Sequence, residues 1–302
     1  MLCFFILSLF LAEITLRLLI GLGDPVIFDT NPLYGFRPLP NKEYHRFSGA
    51  KIKINNLGLR AEHNWGDNRN NKILFLGDSV TYGGSYIDNK ELFSYLAVKD
   101  FKGFESGNIG VPGWGIGNVY GLVIESHFVP AKYYVSTFIE EDFSRGKTLM
   151  PGHPFFNKKP SLAILELWYR FCYNQSLEVF EFWEHFVSEA QREAIMRKVV
   201  GEAAGKLKEM DNFLKMQGFQ HLIFISPTAD QVRKSGKKDE IVKAMLEKYS
   251  IKCDYIIDEI PKYNLTEKDK KDLIYDHVHL SKNGHKLWAE IIKTRLLTIV
   301  TK

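Results

Sequence analysis

Cysteine is scarce. Cys3, Cys172 and Cys253 are odd in number and widely spaced, so they form neither a disulfide framework nor a zinc pattern. An excess of one charge is also missing. Forty Lys and Arg face 36 Asp and Glu, a net +4, too little to make nucleic acid the main partner. His45, His63, His127, His153, His185 and His221 show no metal-ligand spacing, so no metal and no cofactor are expected. Internal repeats and low-complexity tracts are absent, which excludes solenoids, collagen-like fibres and disordered tails. Long apolar runs are absent too, apart from one at the N-terminus, so a multi-span membrane protein is excluded. What remains is a chain of 302 residues, 45% hydrophobic, long enough to bury a full core unaided.

The N-terminal exception reads MLCFFILSLFLAEITLRLLIGL from Met1 to Leu22. Its uninterrupted apolar run ends at Ala12. Glu13 and Arg17 follow at the i, i+4 spacing that pairs charges on one helix face. Asp24-Pro25 then stops the helix. Crossing a bilayer takes roughly 20 mostly apolar residues, a length reached here only by admitting the charge pair. Residues 1–23 are expected to be a single-pass membrane anchor or uncleaved signal segment, with the body outside the cytoplasm (periplasm or cell surface). An interfacial helix and a buried core helix are the alternatives.

Residues 24–71 hold turn clusters and one alternating stretch, Lys51 to Ile54, which suits a half-exposed strand. They are expected to form an extended arm or small hairpin. Beyond them, residues 72–302 alternate strand and helix patterns. Ile73 to Leu76, Phe104 to Ile109, Tyr133 to Ile139, Leu222 to Ile225 and Tyr255 to Ile257 suit buried strands. Helical periodicity covers Glu91 to Lys99, Ile116 to Ser126, Glu193 to Met216, Lys238 to Tyr249 and Asn283 to Thr298. This alternation predicts an α/β fold: a parallel sheet of about five strands in a three-layer α/β/α arrangement. One aromatic-rich stretch, Pro160 to Phe186, breaks it and predicts a helical insertion at about 155–192, either packed on the core or acting as a binding wall.

In open α/β sheets, ligands bind beyond the carboxyl ends of the strands. The first strand leads into Gly77-Asp78-Ser79-Val80, which puts a serine on a strand-to-helix turn. The second leads into Asn108-Ile109-Gly110-Val111-Pro112-Gly113-Trp114, whose glycines let backbone N–H groups approach a ligand. Near the C-terminus, Asp276-His277-Val278-His279 brings carboxylate and imidazole within one turn. A serine becomes a nucleophile when a base takes its proton and a third group orients that base. No other Ser, His and Asp in the chain are spaced to meet at one sheet edge in this way. Asp78 suits a local turn acceptor, and His277 suits a neighbouring surface residue.

GDSV at 77–80, NIGVPG at 108–113 and DHVH at 276–279 resemble the first, second and fifth blocks of the SGNH, or GDSL-like, hydrolase superfamily of esterases and lipases. Asn56-Leu57-Gly58-Leu59-Arg60 is similar to segments that precede such domains in membrane-anchored bacterial members. The resemblance implies a flavodoxin-like fold. It makes Ser79 the nucleophile, His279 the base and Asp276 its partner, with the backbone N–H groups of Ser79 and Gly113 forming an oxyanion hole. Asp78, Glu141, Asp142 and Trp114 would line the site. It further implies hydrolysis of an acyl, often acetyl, ester on a small molecule or a cell-surface polysaccharide through an acyl-serine.

The third block departs from the pattern. Where the family has an Asn donor followed by Asp, this chain has Glu141-Asp142. An ionised carboxylate donates no hydrogen bond and opposes an oxyanion. Glu141 is therefore expected to turn away from the site or to be protonated, unless the motif register slips at this block. Two other readings stay open: an O-acyltransferase using the same three residues, and a catalytically silent binding protein.

Overall fold

The computed structural model describes residues 1–176 and 189–300. From the N-terminus, α1 (Leu2–Thr15) continues into a π-turn (Leu16–Ile20). Two antiparallel hairpins follow: β1 (Phe28–Asn31) with β2 (Gly35–Pro38), and β3 (Lys42–His45) with β4 (Lys51–Ile54). The main sheet comprises β5 (Lys72–Gly77), β6 (Glu105–Gly110), β7 (Tyr133–Phe138), β8 (Gln220–Ile225) and β9 (Asp254–Tyr255). Its helices are α2 (Ser79–Tyr82), α3 (Phe93–Leu96), α4 (Ile116–Tyr120), α5 (Ala163–Ser176), α6 (Glu189–Met216), α7 (Glu240–Lys248), α8 (Ile256–Glu259), α9 (Glu267–Leu273) and α10 (Lys282–Val300).

The five strands are all parallel, in the order β6-β5-β7-β8-β9. This is the doubly wound, flavodoxin-like order, in which a crevice opens where the winding reverses, at the ends of β5 and β7. Side-chain alternation along β5 builds two cores. Ile73 and Phe75 face one side, with Val135, Phe93 of α3, and Trp288, Ile292 and Leu296 of α10. Leu74 and Leu76 face the other, with Ile109, Val119 of α4, and Val200, Ala204, Leu207, Met210 and Leu214 of α6. The spacing of that α6 set, three or four residues apart, makes one apolar stripe. Each such buried side chain stabilises the fold by ~1.5–3 kcal/mol. The three-layer α/β/α prediction holds.

Two details differ from the sequence pattern. The fifth strand is only Asp254–Tyr255, because Ile256 turns inward to start α8. The helix expected over Glu91 to Lys99 shrinks to Phe93–Leu96: Asp88 and Glu91 close a separate 3-10 turn, and extended backbone at Leu92 divides the two.

The arm is bound into the sheet. Arg60 N–H donates to Asn108 O (2.8 Å) and Asn108 N–H donates back to Arg60 O (3.1 Å), which attaches the β4 hairpin to the edge strand β6. Phe28, Phe36, Tyr44, Ile52, Ile54 and Trp65 all enter the core on the α6 side.

The membrane-spanning reading of residues 1–23 finds no support in the helices described. Among the described residues, no helix is long and apolar enough to cross a membrane. The Glu13–Arg17 pair forms (2.6 Å), yet it faces protein. Glu13 accepts from the N–H groups of Ala163 (2.8 Å) and Ile164 (3.3 Å) and so caps α5, while Arg17 donates to Ser161 O (3.1 Å). Leu16 and Leu22 are buried with Ala163. Exposed apolar side chains remain on α1, Phe4 and Phe10 among them, and on the π-turn at Leu18. Of the aromatic stretch, Trp168 and Phe171 lie exposed on α5, whereas Phe180, Phe182, Trp183 and Phe186 lie outside the described residues.

Candidate active site

Ser79 is the first residue of α2. Asp78 caps that helix, its buried carboxylate accepting from Val80 N–H (2.9 Å). The turn is crowded from below, because a Cβ at Gly110 would collide with the backbone of Asp78, Thr81 and Tyr82. Glycine there lets β6 pass directly beneath the serine, which stays partly exposed at the sheet edge.

The segment 274–280 supplies the other two groups. It folds back as a tight loop, with Ile274 bridged to Leu280 and Tyr275 N–H donating to His279 O (2.7 Å). Ser281 caps α10 behind it. Asp276 Oδ1 accepts from the N–H groups of Val278 (3.0 Å) and His279 (2.9 Å), and Oδ2 bonds the His279 Nδ1 (2.7 Å). Burial pushes the Asp276 carboxyl up, but the hydrogen bonds from His279 and Val278 outweigh it and hold the group below its usual range. An ionised Asp276 fixes the proton on Nδ1. That leaves Nε2 as acceptor toward Ser79 Oγ, 2.8 Å away. Three residues expected from the sequence to act together are in contact.

Gly113 lies in the loop after β6, held beside the end of β5 by Val111 N–H to Gly77 O (3.2 Å). Its φ of +82° suits glycine, and its surroundings are open. Among the described residues, neither the Ser79 nor the Gly113 N–H has a protein acceptor. Both are free to receive a ligand oxygen.

Glu141 turns out of the site. Its Oε1 lies 3.2 Å from His277 Nε2, an exposed pair at the rim. Asp142 is fully buried rather than lining the cleft. Its Oδ2 accepts from Ile139 N–H (3.0 Å) and its Oδ1 from Arg145 Nη1 (2.7 Å). Burial, with Asp78 beside it, pushes its carboxyl well up. Trp114 is also corrected. Its ring is buried in the core against Tyr34 (6.3 Å), and only its carbonyl reaches the site region, accepting from Arg145 Nη1 (2.9 Å). Among the described residues, no group of three His, Cys, Asp or Glu could hold a metal ion.

No protein-family model and no curated protein matches the chain. Solved structures do. Among the similar ones are acetyl esterases and lipolytic proteins of the G-D-S-L family. An acetyl xylan esterase shares 16% identity at a TM-score of 0.44, covering 76% of this chain and 100% of its own. A G-D-S-L family lipolytic protein from Veillonella parvula shares 14% at a TM-score of 0.41, covering 76% and 98%. A two-domain esterase active on acetylated mannans shares 14% at 0.43, covering 76% of this chain and 50% of that one.

Three features escaped the sequence. Arg60 is buried, and its guanidinium donates to Tyr82 O (2.7 Å), Gly84 O (2.8 Å), Ile87 O (2.7 Å) and Asn89 Oδ1 (3.0 Å), fixing the loop that leaves α2. Tyr86 in that loop donates to Leu280 O (3.0 Å) and packs on Tyr275 (5.2 Å), joining it to the His279 loop. A cavity of about 570 Å³ reaches Gly113. Its walls come from the arm (Val26, Phe28, Phe36), from Pro112, and from the insertion (Phe155, Tyr169).

A second Ser–His–Asp set exists. Ser136 Oγ lies 2.9 Å from His221 Nε2, and His221 Nδ1 lies 3.0 Å from Asp211 Oδ1. All three are buried between β7, β8 and α6, so no substrate reaches them, and the set ties sheet to helix. Burial holds the His221 ring below its usual pKa.

Proposed function

We propose that the protein is a serine esterase that hydrolyses carboxylic esters through an acyl-serine. The observation that carries this reading is the continuous chain Asp276 Oδ2, His279 Nδ1, His279 Nε2, Ser79 Oγ, with links of 2.7 and 2.8 Å at an exposed sheet edge. Ser79 Oγ attacks the ester carbonyl carbon as His279 Nε2 takes its proton. The carbonyl oxygen becomes an oxyanion beside the Ser79 and Gly113 N–H groups. Collapse breaks the bond to the alkoxy oxygen, which takes the proton from His279 and leaves as an alcohol. Water then attacks the acyl-serine with His279 again as base, and release of the carboxylic acid returns the proton to Ser79. Each oxyanion donor supplies ~3 kcal/mol at the transition state.

The substrate we propose is an acyl ester, acetyl included, on a polysaccharide or smaller alcohol, as the motifs at 77–80, 108–113 and 276–279 imply. The cavity beside Gly113 supports a substrate with bulk next to its carbonyl. Since Glu141 is bonded to His277, its carboxylate no longer speaks for a silent binding protein.

The test is turnover of p-nitrophenyl acetate by the full chain, with Ser79→Ala as control. Ser79→Ala is expected to abolish turnover and leave the fold intact, and Asp276→Ala or His279→Ala should be comparably severe because the three act as a unit. Wild-type turnover by purified Ser79→Ala protein would overturn the assignment.

A further inference from the structure

Beside the nucleophile lies a cation that none of these steps uses. Arg145 Nη1 donates to Trp114 O (2.9 Å) and Asp142 Oδ1 (2.7 Å) and lies 3.7 Å from Asp78 Oδ2. That Asp78 oxygen is 3.4 Å from Ser79 Oγ. Trp114 follows Gly113 in the chain, and Asp78 precedes Ser79. One nitrogen of Arg145 therefore reaches the residue adjoining each of the two free N–H donors. The two carboxylates it meets are buried, whereas Arg145 itself is about a third exposed. Nη1 accounts for every bond described for this guanidinium, so the rest of the fork is not committed to either carboxylate.

An ionised Asp78, its Oδ2 3.4 Å from Ser79 Oγ, opposes negative charge growing on the substrate carbonyl. The Arg145 cation, 3.7 Å from that carboxylate, offsets the opposition, and its Nη1 ties together the two loops it touches. The side chain at 141, where the motif pattern expects an amide, is bonded away to His277.

We propose that Arg145 is the positioning residue of the oxyanion hole: it holds the Ser79 and Gly113 loops in register and supplies the positive charge that an amide at 141 would have supplemented. This rests on the esterase reading above. Steady-state kinetics of Arg145→Gln and Arg145→Lys with p-nitrophenyl acetate test it, with urea unfolding of each variant alongside. Arg145→Gln is expected to lower kcat by ~10²–10³, the effect of losing one oxyanion donor, with KM nearly unchanged, as for an interaction made only in the transition state. Arg145→Lys keeps the charge without the fork and should recover part of kcat.

Because Arg145→Gln leaves buried carboxylates uncompensated and can weaken the fold, the double variant Asp142→Asn/Arg145→Gln is measured as well. It removes one buried acid and keeps an acceptor for Ile139. Under the proposal its kcat stays low even when it is as stable as wild type. A folded Arg145→Gln with wild-type kcat, or a double variant that regains it, overturns the proposal alone. Wild-type protein no more active than Ser79→Ala overturns the esterase reading, and this proposal with it.

Discussion

Acid should loosen this fold at one definable place, His285. The residue sits in the first turn of α10 with no exposed surface. Its Nδ1 accepts from Phe93 N–H (3.2 Å), and its ring stacks on Phe93 at 5.7 Å. Burial, and then the nearby Arg60 charge, push its pKa from 6.5 down to about 3. The unfolded chain therefore binds a proton at this residue at a pH where the folded chain does not. Stability from this group is complete above pH ~6.5 and is lost as pH falls from there toward ~3. Each pH unit in that window costs ~1.4 kcal/mol, so the drop from pH 7 to pH 5 removes ~2 kcal/mol through this one ring. His285→Asn keeps an acceptor for Phe93 and removes the titration. The assay is urea unfolding of wild type and variant at pH 7 and pH 5. Absolute stability falls in the variant because the ring's packing is lost, but its loss between the two pH values should be smaller by ~2 kcal/mol. Equal losses in both proteins would refute the reasoning.

Arg60→Leu strips donors from three backbone carbonyls and Asn89, and hydrogen bonds to charged groups contribute ~1.5–3 kcal/mol each. Relief of a buried cation offsets part of this, so a net loss of ~2–4 kcal/mol is expected in urea unfolding, with esterase turnover falling as the loop at 82–87 loosens. Glu141→Gln breaks only an exposed pair with His277. Stability should change by less than ~1 kcal/mol, and kcat should stay near wild type; a large fall in kcat would give Glu141 a catalytic part.

Much of the sheet was legible because buried parallel strands read as continuous apolar runs, and Ile73 to Leu76 is such a run. Ser79 was legible because it follows the readable end of a strand, and Asp276 and His279 because they stand three apart ahead of the last helix. Arg60 and Arg145 were not. A guanidinium that works on backbone carbonyls leaves no pattern among side chains, and its targets lie up to 31 residues away in the chain. Glu13 illustrates the same limit. In sequence it reads as half of a lipid-tolerated pair, and only the fold brings it to the N-terminus of α5, 150 residues on. Trp114 adjoins a site glycine, yet its ring turns into the core, which adjacency in sequence could not reveal.

Ser79 and His279, the proposed nucleophile and base, are separated by 200 residues. At ribosomal rates of about 5–20 residues per second, about 10–40 seconds pass between synthesis of Ser79 and of His279. Through that interval the nascent chain carries a serine without its base. Trp288, Ile292 and Leu296 of α10 are made later still, so the sheet face holding Ile73 and Phe75 lacks its α10 cover until that helix is made. A ribosome stalled before residue 276 would therefore display an inert chain with a sticky flank, a natural substrate for holding chaperones and quality-control proteases.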